Sequence, residues 1–108
     1  MDNGAVNGWR LEYVHPPKHN KFYKILYKDN KIIFNWGRIG SPGQIAYREV
    51  NDTHFYVSQE IADLANDQKN AKLIEGYKEV PYQGSRKEDW EILFTRAALK
   101  AGVYQKPK

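Results

Sequence analysis

The stretch NWGRIGSPGQ, residues 35–44, closes a run of β-branched and aromatic residues, KIIF, with a turn rich in glycine and carrying one proline. In an extended chain alternate side chains point to opposite faces, so Phe34, Trp36 and Arg38 share one face and Ile33, Asn35, Gly37 and Ile39 the other. A Trp two positions before an Arg sets a flat ring beside a bidentate cation, able to cover a sugar or base and to clamp a phosphate. The same residues also suit plain strand packing, with Trp36 in a core, Arg38 in solvent and the glycines forming turns.

Upstream, KFYKILYK (residues 21–28) has strand composition, and Asp29-Asn30 reads as a tight turn into residues 31–40. Trp9, Leu11 and Tyr13 alternate with Arg10, Glu12 and Val14 in an earlier strand, stopped by Pro16-Pro17, since proline cannot donate to a ladder. QIAYREV (44–50) follows the Ser41-Pro42-Gly43 turn as a further strand. Short strands joined by tight turns indicate an antiparallel meander. Residues 1–8, with two Asn-Gly pairs, read as a flexible leader.

Beyond Val50 the period becomes helical. Val57, Ile61, Leu64, Ala65 and Gln68 fall on one side, with Asn51, Asp52, Thr53 and Ser58 as candidate N-caps and Gly76 as the stop. Tyr77 to Val80 is short and extended. Ser85 with Glu88 three residues on has capping-box spacing, and Trp90, Leu93, Phe94, Ala97 and Ala98 stripe a last helix that ends at Gly102. The expected fold is α+β: a twisted antiparallel sheet of about four to five strands packed with one helix, plus an additional C-terminal helix. Residues 9–80 form the domain, and residues 81–108 a helical extension packed on it.

The chain of 108 residues carries a net charge of +4, distributed as +4 over residues 1–50, −3 over 51–80 and +3 over 81–108. Lys18, Lys21, Lys24, Lys28, Lys31 and Arg38 cluster in residues 18–40 against Asp29 alone, a footprint suited to phosphates. Lys24 and Lys28 share a side with Phe22 and Leu26, and lie equally well along apolar surface. With no cysteine, disulfides, thiolate metal sites and a cysteine nucleophile are excluded. His15 and His19 flank two prolines, which argues against a helical metal pair, so they read as surface loop histidines; His54 stands alone. No P-loop, catalytic triad or paired-carboxylate spacing appears, so neither enzyme chemistry nor a small-molecule substrate, cofactor or metal is expected. The start of the chain lacks signal-peptide features and no run reaches membrane-spanning length, so a cytoplasmic protein is expected.

Trp36-Gly37-Arg38, followed by Ile39-Gly40 and Gly43-Gln44, resembles the WGR domain. Asn20-Lys21-Phe22-Tyr23-Lys24-Ile25 and the Lys72, Gly76-Tyr77, Glu79-Val80 ending reinforce the likeness, which covers about residues 9–80. WGR domains occur in bacterial proteins and beside the catalytic region of eukaryotic poly(ADP-ribose) polymerases, where they bind near DNA ends or breaks. There the Trp packs on the sugar of a terminal nucleotide, and the Arg serves DNA or interdomain contacts. The resemblance implies those roles for Trp36 and Arg38, with Gly37, Asn20, Lys21, Lys24, Gly40 and Gln44 as further nucleic-acid-binding candidates. Polymerase activity would need a separate NAD-binding domain. A non-enzymatic module for DNA ends, nicks or junctions is thus expected, located with nucleoid or nuclear DNA. The alternative is a protein-interaction module that docks through the Trp36/Arg38 surface or the last helix.

Overall fold

The computed structural model describes residues 5–50 and 56–101. Five strands, β1 (Asn7–His15), β2 (His19–Lys28), β3 (Lys31–Arg38), β4 (Gln44–Glu49) and β5 (Lys78–Val80), form one antiparallel sheet in the order β4-β3-β2-β1-β5. Helix α1 (Val57–Glu75) connects the β4 edge to the β5 edge, and α2 (Arg86–Ala101) follows β5. Among the described residues no helix is long and apolar enough to cross a membrane.

The Asp29-Asn30 turn fixes the central hairpin, pairing Lys28 with Lys31, Tyr23 with Trp36 and Lys21 with Arg38. Asp29 takes the left-handed conformation, φ 54°, which a short polar side chain tolerates in a tight turn. β1 begins at Asn7, two residues before the alternation at Trp9, because β2 is long enough to pair Asn7 with Tyr27 and Gly8 with Leu26. Gly8 permits this approach: a Cβ there would meet the Ile25 carbonyl oxygen at 1.9 Å. His15 and His19 are the last cross-strand pair of the β1–β2 hairpin, not loop residues, with ring centroids 6.3 Å apart.

Strands β2 and β3 are apolar on both faces because each face is covered. On one, Ile61 and Ala65 of α1 join Leu11, Tyr23, Ile25, Ile32 and Tyr77. On the other, Trp90, Leu93 and Ala97 of α2 join Leu26, Ile33 and Ile45. The α2 stripe is therefore core, and the arrangement is three-layered, helix on sheet on helix. Leu11, Ile25, Leu26, Ile32, Ile33 and Ile61 are fully buried, each contributing about 1.5–3 kcal/mol through removal from water.

The helix ends follow local chemistry. Ser85 caps α2, its Oγ accepting the Glu88 N–H at 3.2 Å. Gly76 ends α1 at φ 116°, its N–H bonding the Leu73 carbonyl while the Tyr77 N–H bonds that of Lys72, a Schellman arrangement. The residue before α1 is Tyr56, which makes no side-chain capping bond, and Ser58 lies inside the helix. The other candidate caps Asn51, Asp52 and Thr53, together with His54, the stop at Gly102 and residues 1–4 of the expected leader, lie outside the described residues.

Candidate nucleic-acid interface

The β2–β3 register assembles the site. Lys21, Tyr23, Trp36 and Arg38 face the α1 side, and Gln44 of β4 stands opposite Trp36 on that same side. Across the sheet, the row Leu11, Tyr23, Trp36, Gln44 runs from fully buried through buried and half-buried to exposed. Trp36 stacks on Tyr23 with centroids 6.0 Å apart and an interplanar angle of 21°. Tyr23 is held in turn by α1: Gln68 Nε2 donates to its hydroxyl at 2.9 Å, and Lys72 Nζ sits 4.8 Å from its ring centroid. Burial pushes the Tyr23 phenol above its ordinary value of 10.0, so it stays a neutral platform.

Cations border this platform. Lys21 lies 5.5 Å from the Tyr13 ring centroid and opposite the exposed Arg38, and among the described residues neither cation has a carboxylate partner. Lys72 also contacts the Tyr77 ring at 5.7 Å and Glu75 Oε2 at 3.3 Å. The three tryptophans differ. Trp90 is buried, and Trp9 carries Lys69 Nζ 4.3 Å above its ring, but Trp36 is half-buried with no cation over it among the described residues.

The other sequence candidates part from this cluster. Lys24 projects from the opposite face, where its Nζ pairs with Asp89 of α2 at 2.9 Å. Asn20 is exposed, has the same parity as Lys24, and its carbonyl accepts the Ile39 N–H at 2.9 Å. Gly37 lies beneath the β3–β4 turn, since a Cβ there would meet Gly43 Cα at 2.8 Å, whereas Gly40 is exposed in open space. These glycines shape the backbone. Strand reading missed Tyr13, Tyr23, Gln68 and Lys72 as members of the cluster. Counting back from the Asp29-Asn30 turn would have set Tyr23 against Trp36, and the four-residue spacing of Gln68 and Lys72 shows that they share a helix face. Among the described residues no group of three or more His, Asp and Glu side chains could hold a metal ion.

A family model described as the WGR domain matches residues 9–83. A crystal structure of a protein from Bacteroides fragilis resembles the chain with a TM-score of 0.59 at 21% identity, a likeness of fold. It covers 69% of this chain but 20% of the other, so the chain spans about a fifth of that protein's length. No curated protein matches.

Proposed function

The chain belongs to the WGR domain family, a nucleic-acid-binding domain family rather than a catalytic one, and from this we propose that it is a DNA-binding module that selects ends, nicks or junctions. The observation that carries the reading is Trp36: half-buried, braced from one side by Tyr23, and flanked by Lys21 and Arg38 without acidic partners among the described residues. Stacking on an aromatic ring contributes about 1–3 kcal/mol per base. Unstacking a base inside a duplex costs a few kcal/mol, which would consume that gain. A single ring therefore favours places where a sugar or base face is already open. Arg38 and Lys21 would supply salt-sensitive attraction to the flanking phosphates. The exposed Asp63 and Asp67 of α1 repel a polyanion from that helix's outer surface and leave it the sheet end.

The test compares a hairpin DNA with one free 5′-phosphorylated end against an end-free dumbbell, at two salt concentrations. The wild-type chain should prefer the hairpin. Trp36→Ala should lose that preference by about five-fold or more while retaining salt-sensitive binding. Equal, negligible binding to both would refute the proposal and favour a protein partner at the Trp36/Arg38 surface. Equal but salt-sensitive binding would reduce it to nonspecific attraction.

A further inference from the structure

On the sheet face opposite Trp36, between the β3–β4 turn and α2, lies a cleft of about 200 Å³. Arg10 of β1, Lys24 of β2 and Arg96 of α2 line it together with one carboxylate, Asp89 of α2, and with Ser41, Phe22 and Leu93. Three cations from three elements are thus gathered around one small space.

Their existing bonds leave capacity. Arg10 Nε bonds Glu12 at 2.9 Å, and Lys24 Nζ bonds Asp89 at 2.9 Å, a carboxylate that also accepts the Tyr82 hydroxyl at 2.5 Å. Arg96 reaches only main-chain carbonyls, those of Pro42 at 3.3 Å and Gly43 at 3.1 Å, so among the described residues no carboxylate answers its charge. A guanidinium carries five N–H donors and an ammonium three, so each of the three cations retains donors after these bonds. One guanidinium suffices for a carboxylate. Donors arriving from three directions suit a tetrahedral anion. The volume falls below the roughly 300–1,000 Å³ of drug-sized pockets and admits one phosphoryl group with a small substituent.

We propose that this cleft is a phosphate-binding site, formed where α2 adds Arg96 to Arg10 and Lys24 of the sheet. It is separate from the Trp36 surface and does not depend on it. The phosphate could be carried by a nucleic-acid strand passing the β3–β4 turn or by a free phosphorylated metabolite; the anion chemistry is the same.

Backbone-amide NMR of the full chain titrated with inorganic phosphate, at constant ionic strength balanced with chloride, tests the site. Saturable shifts at Ser41, Asn35 and Leu93, with Lys21 and Arg38 unmoved, are expected. Arg96→Gln and Arg10→Gln should each weaken this binding about ten-fold; the second guards against Arg96→Gln simply loosening the turn it bonds. Absence of saturation, shifts confined to Lys21 and Arg38, or unchanged affinity in both variants would overturn the site. In a second arm, the free-ended hairpin DNA replaces phosphate. Shifts at Ser41 and Leu93 assign the phosphate to a strand, and their absence assigns it to a free ligand. DNA that binds nowhere while phosphate still saturates the cleft would refute the end-binding proposal and leave this site standing.

Discussion

Replacing Gly37 with Ala tests why glycine sits between Trp36 and Arg38. The side chain of residue 37 projects away from Trp36, toward the β3–β4 turn folded over it. A Cβ there would lie 2.8 Å from Gly43 Cα and 3.3 Å from Ser41 Oγ. Carbon atoms pack best at about 3.5–4.0 Å, so the first contact is too short by about 0.7 Å or more. Neither neighbour yields easily. Gly43 Cα is backbone, and the Ser41 hydroxyl is held by donating to the Arg38 carbonyl at 2.7 Å. Overpacking of this kind costs about 1–3 kcal/mol. With a urea dependence of about 1–2 kcal/mol per molar, the unfolding midpoint should drop by about 1 M. Ser41→Ala in the same background should not restore it, because the backbone contact persists; the double-mutant cycle separates the two contacts. The hairpin-over-dumbbell preference should survive in the folded variant, since Trp36 and Arg38 keep their face. An unchanged midpoint, or full rescue by Ser41→Ala, would refute the steric account. Loss of DNA binding without loss of stability would make Gly37 a contact residue instead.

Other consequences are as direct. Arg38→Gln and Lys21→Gln should each flatten the slope of log affinity against log salt by about 0.9, whereas Lys69→Gln should leave it unchanged, Lys69 being held by Glu79 at 2.7 Å and the Trp9 ring; DNA titrations over a salt series decide this. Ser85→Ala removes the oxygen that accepts the Glu88 N–H and should cost about 1 kcal/mol, with faster hydrogen exchange in the first turn of α2. Burial raises the phenols of Tyr23 and Tyr77, and those of Tyr47 and Tyr82 further, with Glu49 and Asp89 accepting the hydrogen bonds of the last two. Above pH 10.0, the ordinary value, the unfolded chain therefore binds fewer protons than the folded one. Stability should be fully present below pH 10.0 and decline as pH rises through the folded values. Urea midpoints should begin to fall above pH 10.0, before the buried tyrosines of the folded chain show tyrosinate absorbance; tyrosines that all ionise near pH 10.0 in the folded chain would contradict it.

The hairpin was legible because its turn is only two residues long: once Asp29-Asn30 is recognised, strand alternation fixes which side chains share each face. The apolar content of both faces of β2 was visible too, but its cause was not. It reflects a helix on each side of the sheet, and the second comes from outside the residues that resemble the family. That is why Lys24 was misleading. Its parity could be counted, but not its capture by Asp89, 65 positions away. Gln68 and Lys72 were equally hidden as site residues, since a helical period shows a buried stripe without saying which strand it crosses.

The Trp36 surface and the cleft on the opposite face have one structural origin. Helix α1 packs mainly over Leu11, Tyr23 and Ile25 of β1 and β2 and reaches Ile32 of β3, whereas α2 packs mainly over Ile33 and Ile45 of β3 and β4 and reaches Leu26 of β2 on the opposite face. The covers are therefore offset across the sheet. On the α1 side, Phe34, Trp36 and Ala46 of β3 and β4 stay half-buried, which puts Trp36 at the margin of the core. On the α2 side the under-covered part is around Arg10 and Lys24 of β1 and β2, beside Arg96. The Trp36-Gly37-Arg38 tripeptide straddles this geometry. Its odd-numbered residue faces the turn and sets the backbone, while its even-numbered residues face the open margin. Substitution at Gly37 should thus read out in stability, and substitution at Trp36 or Arg38 in binding. A result with those roles exchanged would mean that the two faces do not divide the work between fold and recognition.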